Sequence, residues 1–217
     1  MPLVPTVTTV FSQTELAEAL YRAHVAYFGS PPPQPRLACA WAHNVLECGR
    51  DAHNNIAHCR CFNLGNITVK SQDAPFWSIT CAEQQRNPDG SLNGKWVNTV
   101  MRFAAFDTLL DGAVYYWAFI VKRPASFQEM SSGIGYAFGM ALAHEHYMTA
   151  NPETYARSLG HLSDEGRSFI NGLDLQAKEG DTAQAEKLMD LIALTLDDSI
   201  KDGLNTPTTD TEGDNNT

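Results

Sequence analysis

The sequence predicts a mainly α fold, class α+β, with a small β-hairpin wing, and three observations carry that expectation. Apolar residues recur at three- and four-residue spacings through several segments of ten or more residues, the period of a helix with one buried face. One region, 68–103, instead holds short β-prone runs around dense turn chemistry, Asn-Pro-Asp-Gly-Ser-Leu-Asn-Gly at 87–94. The balance of 43% hydrophobic to 18% charged residues belongs to a chain that folds on a core.

The first helix is expected over Phe11 to Phe28. Ser12 can cap it with Glu15 three residues on, the pattern of a capping box, and Gly29 closes it. The proline run Pro31 to Pro35 makes a stiff connector. A second helix then runs from Leu37 to Glu47. Leu37, Trp41, Val45 and Cys48 form its apolar stripe, while Ala40, His43, Asn44 and Glu47 share another face suited to a cleft floor. Gly49 fits the end of that helix.

Residues 50–60 read as a polar loop. The hairpin follows, with Trp96, Thr99, Met101 and Phe103 in its second arm. Asp107 can cap a third helix, Thr108 to Val121. Ser126 to Ala150 reads as one or two helices whose small residues (Gly133, Gly135, Gly139, Ala141, Ala143) allow close packing. Pro152 to Leu162 makes another helix, and Asp181 to Leu204 a last amphipathic one. In domain terms this gives an N-terminal arm, 1–13, one domain with its C-terminal helix, 14–204, and a disordered acidic tail, 205–217.

Charge narrows the function. With 15 basic and 25 acidic residues the net charge is −10, which disfavours nucleic acid and anionic lipid as partners. No stretch reaches the length of a membrane helix, so no membrane insertion is expected. The N-terminus carries neither the basic start nor the apolar run of a signal peptide. A substrate outside the cytoplasm would therefore need delivery by a phage particle, by lysis or by a secretion machine, with the delivery partner unknown.

Five cysteines lie at 39, 48, 59, 61 and 81. An odd count is no closed disulfide framework and fits a reducing compartment. Cys48, Cys59, Cys61 and Cys81, with His43, His53 and His58 nearby, could supply structural zinc ligands, but Cys-x-Cys is not the common zinc spacing. Buried free thiols are the plainer reading. His144 and His146 flank Glu145, yet positions two apart on a helix diverge, so no metal is expected there either.

Glu47 carries the chemistry. A carboxylate at the end of a core helix needs a partner or takes up a proton. A carboxylic acid kept protonated at neutral pH is what a glycosidase uses to protonate its leaving group. A solvated helix-terminal Glu would show the same residue at the same place.

Four segments in colinear order resemble the lysozyme-like peptidoglycan hydrolases of the glucosaminidase type, glycoside hydrolase family 73. The family has a helix ending in an Ala-rich run and Glu-Ser-Gly or Glu-Thr-Gly; here it is Trp41-Ala42-His43-Asn44-Val45-Leu46-Glu47-Cys48-Gly49. Its Asn-x-x-Asn-Ile corresponds to Asn63-Leu64-Gly65-Asn66-Ile67. Its Phe-Arg-x-Tyr/Phe-Asp-Ser motif is matched by Met101-Arg102-Phe103-Ala104-Ala105-Phe106-Asp107-Thr108. Its Gly-Tyr-x-Thr-Asp and Tyr-Ala are matched by His146-Tyr147-Met148-Thr149-Ala150 and Thr154-Tyr155-Ala156. Cys48 replaces the family's Ser or Thr, and Ala150 replaces its late Asp, with Asn151 next to it.

The resemblance implies a lysozyme-like domain that cleaves β-1,4 bonds between N-acetylglucosamine and N-acetylmuramic acid in a peptidoglycan glycan strand, with no cofactor. Glu47 would be the general acid. Glu83 stands where the family places a glutamate on a mobile hairpin, and Tyr147 matches its cleft tyrosine. Asn63, Asn66, His43, Asn44 and Tyr155 would bind substrate, although turn formation explains the two loop asparagines and packing explains Tyr155 equally well. The other reading is a non-catalytic glycan-binding or structural protein, of a virion or secretion machine, that keeps the fold.

Overall fold

The computed structural model describes residues 3–69, 75–87, 91–148, 151–189 and 192; the side chains of residues 83, 86 and 92 lie outside the description. In chain order the elements are β1 (Thr8–Phe11), α1 (Gln13–Phe28), α2 (Gln34–Cys48), β2 (Ile56–Arg60), a 3-10 turn (Leu64–Asn66), β3 (Phe76–Arg86) and β4 (Leu92–Ala104). Four helices follow: α3 (Leu109–Val121), α4 (Pro124–Ser132), α5 (Gly135–His144) and α6 (Pro152–Ile170). The fold is mainly α with a small β wing, as the sequence predicts.

Helix α2 occupies the centre, packed by α1, α4, α5, α6, β2 and the 3-10 turn. Every residue from Leu37 to Val45 is buried. The two-faced reading of this helix is therefore corrected: its small and polar face is covered by other helices and is not a cleft floor. The helix also begins earlier than expected, at Gln34, because a proline is tolerated in a first turn whose N–H groups have no intrahelical acceptor.

The capping box at Ser12 forms as expected. Ser12 Oγ accepts from the Glu15 N–H, and the Glu15 carboxylate accepts from the Ser12 N–H at 2.7 Å. The third helix is capped one residue later than expected, by Thr108, whose Oγ1 accepts from the Asp111 N–H at 3.1 Å. That helix is buried from Gly112 to Ile120, and Trp117 donates its indole N–H to Leu20 O at 2.9 Å. Each large side chain fully buried in such a helix contributes roughly 1.5–3 kcal/mol.

Small residues let α5 and α6 meet closely. A Cβ added at Gly139 would lie 2.6 Å from Ala156 Cα, and one at Gly135 2.6 Å from Leu159 O. Helix α6 runs to Ile170, longer than expected, and starts at the cap Asn151, whose side chain accepts from the Thr154 N–H. Glu145 has a structural role as well: its carboxylate accepts from the Ala125 and Ser126 N–H groups at the start of α4.

The wing is the antiparallel pair β3–β4, in register from Phe76↔Ala104 to Gln84↔Trp96. At its base, Val69 N–H donates to Arg102 O and Ala104 N–H to Ile67 O, which ties the 3-10 turn to β4. Residues 50–60, expected as loop, contain β2, which pairs antiparallel with β1 from the expected N-terminal arm. Five residues with only Ile56 and Cys59 buried give too short an alternation to read. Residues 181–189 are helical, and Ala185, Leu188 and Ile192 pack on the main core. The rest of the expected last helix and the expected tail lie outside the described residues.

Candidate active site

Glu47 sits in the last turn of α2, where Gly49 (φ 61°) turns the chain away toward β2. Its side chain keeps 16% of its surface exposed. Two elements converge on it. From the first turn of α6, Tyr155 donates its hydroxyl to Glu47 Oε1 at 2.5 Å. From the 3-10 turn, Asn66 Nδ2 donates to Glu47 Oε2 at 3.2 Å and to the Glu47 main-chain oxygen at 3.0 Å. The second of these bonds also satisfies a helix-end carbonyl that has no partner within α2.

Burial raises the pKa of Glu47 above the ordinary carboxylate range. Hydrogen bonding from Tyr155 and Asn66 opposes the rise without cancelling it. The result is a largely buried carboxyl group, biased toward its protonated form, that keeps a small exposed surface.

The loop that brings Asn66 to this place is held by its own side chains. Asn63, 1% exposed, donates from Nδ2 to Ile67 O and accepts at Oδ1 from Ile67 N–H, both at 2.9 Å. Cys61, Phe62 and Asn66 all have φ near +50°, and Gly65 has φ 75°. An Asn tolerates that left-handed geometry better than most residues. Tyr147 donates its hydroxyl to Gly65 O, fixing the same loop from the far side.

The expected site residues therefore separate into two sets. Glu47, Asn66, Tyr147 and Tyr155 are brought together and retain exposed surface. His43, Asn44 and Asn63 do not reach solvent, and the expectation that they bind substrate is corrected. His43 is fully buried, with Nδ1 2.9 Å from Tyr116 Oη and Nε2 3.8 Å from Glu47 Oε1. Asn44 donates to Ala40 O within its own helix. Glu83 lies in β3 opposite Val97, with its side chain outside the description.

Tyr116 is the residue that sequence reading missed. It lies in a helix buried almost throughout, where no periodicity separates a polar contact from packing.

The cysteines do not gather at one place. Among the described residues no three His, Cys, Asp or Glu side chains converge to hold a metal ion. Cys48 and Cys59 lie together in the main core, Cys61 packs in a separate cluster with Trp77, and Cys81 is on the wing opposite Thr99. Among the described residues no helix is long and apolar enough to cross a membrane.

No protein-family model and no curated protein sequence matches the chain. Solved structures do. A mutant of the peptidoglycan hydrolase from Sphingomonas sp. A1 superposes with a TM-score of 0.51 at 20% identity, over 74% of this chain and 99% of that one. The unmutated peptidoglycan hydrolase of Sphingomonas sp. A1 gives 0.50 at 18% identity, over 77% of this chain and 100% of the other. A C-terminally truncated glycoside hydrolase domain of Salmonella typhimurium FlgJ gives 0.44 at 16% identity, over 75% and 100%. The chain thus shares the mainly α, lysozyme-like fold of the two Sphingomonas sp. A1 structures.

Proposed function

We propose that this chain is a glycoside hydrolase that cleaves β-1,4 bonds between N-acetylglucosamine and N-acetylmuramic acid in peptidoglycan, with Glu47 as general acid. The observation that carries the reading is the Glu47 carboxyl itself. It is largely buried, shifted toward its protonated form, and held by Tyr155 and Asn66 at a partly exposed position. The likeness of fold to two peptidoglycan hydrolase structures supports the same choice of substrate.

In this reading Glu47 passes its proton to the glycosidic oxygen as the C–O bond breaks, leaving an oxocarbenium-like centre on the sugar. Tyr155 and Asn66 then hold the carboxylate that remains. Glu83 is the candidate for the second carboxylate; an inverting pair closes to about 6.5–9.5 Å around a water. Asn66 and Tyr147 border Glu47 with exposed surface and are the groups available to position the sugar. No step of this chemistry requires a cofactor.

The test is digestion of purified peptidoglycan by wild type and Glu47→Gln, reading new reducing ends and the terminal sugar by mass spectrometry. The expected result is release of ends by wild type and a loss of about 10²–10⁴-fold in the folded variant. An inert wild type that binds the polymer would replace the hydrolase by a glycan-binding protein.

A further inference from the structure

His43 is a fully buried imidazole one helical turn before Glu47. Its surroundings come from three helices. Tyr116 of α3 lies 2.9 Å from Nδ1, and the rings of Phe138 on α5, Tyr147 beyond α5 and Tyr155 on α6 stand 5.4, 5.0 and 6.4 Å away, centre to centre. The charged or ionisable groups facing it are Glu47, Arg123 and the three tyrosines. Its Nε2 is buried without a hydrogen-bond partner and lies 3.8 Å from Glu47 Oε1.

A neutral imidazole has one donor and one acceptor nitrogen, and its partners choose between them. Tyr116 is itself fully buried, and among the described residues Nδ1, 2.9 Å away, is the partner its hydroxyl proton can be given to. With Nδ1 accepting, the ring proton is on Nε2 and points to the carboxyl of Glu47. The opposite tautomer would strand the Tyr116 hydroxyl proton and set the Nε2 lone pair against a carboxyl oxygen, two buried groups unsatisfied instead of none once Glu47 ionises.

We propose that His43 is a positioning residue for Glu47: Tyr116 fixes its tautomer, and the Nε2–H is the donor that receives the carboxylate when Glu47 gives up its proton. This builds on the reading of Glu47 as general acid. At 3.8 Å the pair is longer than a hydrogen bond. It closes as charge appears on Oε1, so it favours the state after proton transfer over the state before it. Burial and Arg123 keep the imidazole neutral down to about pH 3, so it acts as a fixed donor and not as a proton carrier.

Nitrogen-15 NMR of wild type, which distinguishes a bare from a protonated ring nitrogen, gives the first test. Nδ1 is expected bare and Nε2 protonated at neutral pH; the reverse assignment would overturn the proposal. The second test titrates the Glu47 side-chain carbonyl by carbon-13 NMR in wild type, His43→Leu and His43→Gln. Loss of the donor in His43→Leu is expected to move the Glu47 titration upward, and the Gln amide N–H to bring it back. An unmoved titration in folded His43→Leu would leave His43 as packing alone.

On peptidoglycan, His43→Leu is expected to lower kcat roughly tenfold with KM little changed, the effect of losing one hydrogen bond to a charged group, with recovery in His43→Gln. The NMR readouts need no substrate. An inert wild type would thus sink the hydrolase reading, while the tautomer and the titration would still decide the role of His43.

Discussion

Tyr155 Oη stands 2.5 Å from Glu47 Oε1 although 108 residues separate them in the chain. The contact joins the first turn of α6 to the last turn of α2. It depends on the close approach of α5 and α6 at Gly139 and Ala156, one residue from the tyrosine. Tyr155 donates to the carboxylate and so favours the charged form, opposing the effect of burial. Replacing it by Phe is expected to move the Glu47 ionisation to higher pH. In the pH profile of peptidoglycan cleavage the alkaline limb, which reports loss of the acid's proton, moves up, and kcat/KM falls roughly tenfold. An unmoved limb would reduce Tyr155 to packing.

The raised pKa of Glu47 has a sign that stability measurements can read. Its folded value lies above its unfolded value, so its contribution is fully present below about pH 4 and declines as pH rises through the window between the two. Glu47→Gln has no such decline. The difference in Tm, variant minus wild type, is therefore expected to grow in favour of the variant from pH 4 toward pH 8. A difference independent of pH would mean that Glu47 is not shifted.

Two histidines act in the opposite sense. Burial lowers His43 to about 3 and His24 to about 4, both from an ordinary 6.5. As pH falls below 6.5 the unfolded chain takes up protons that the folded chain refuses, and stability drops by roughly 1.4 kcal/mol per pH unit for each group. Urea unfolding of wild type and His43→Gln at steps from pH 6.5 to 4.5 is expected to show a shallower acid slope in the variant, by close to one proton. Equal slopes would mean that His43 already titrates in the folded state.

What the sequence disclosed and what it hid divide along physical lines. The Ser12 capping box, the Gly49 helix stop, the turn-rich hairpin and the small residues of α5 are local or composition-driven, and each is read from a few neighbouring residues. Glu47 stood out because a carboxylate so near a core demands explanation. Its contact with Tyr155 could not be read, since nothing local links two residues on different helices. Helical spacing placed His43 and Asn44 on one face of α2 correctly, but it does not say whether a face meets solvent or another helix. Here it meets the helices packed around it, which turns two expected substrate ligands into buried residues.

Asn63 gives a clean separation of structure from binding. Its amide bonds both the Ile67 N–H and the Ile67 carbonyl, and it is buried. Asn63→Ala removes both partners and leaves a buried N–H unsatisfied, at a cost of about 1–3 kcal/mol. A drop in Tm is expected, with KM for peptidoglycan fragments unchanged at temperatures where the variant is folded. A rise in KM without loss of stability would restore Asn63 as a substrate ligand.

Gly112 controls the same loop from below. It lies on the face of α3 against the main-chain oxygen of Phe62, and a Cβ added there would stand 1.9 Å from that oxygen. The neighbour is backbone, not the far end of a flexible side chain, so it cannot step aside cheaply. Phe62 has φ 50° and directly precedes Asn63, whose amide braces the turn that aims Asn66 at Glu47. Gly112→Ala is expected to destabilise the fold by about 1–3 kcal/mol through overpacking. Because the displaced backbone leads to Asn66, activity is also expected to fall by more than the unfolded fraction accounts for. Gly29→Ala is the control: its Cβ meets nothing within 4 Å, so its cost comes from the left-handed backbone (φ 71°) alone. Comparing activity per folded molecule in the two variants tests the path from Gly112 through Phe62 to Asn66. Equal activity would break it.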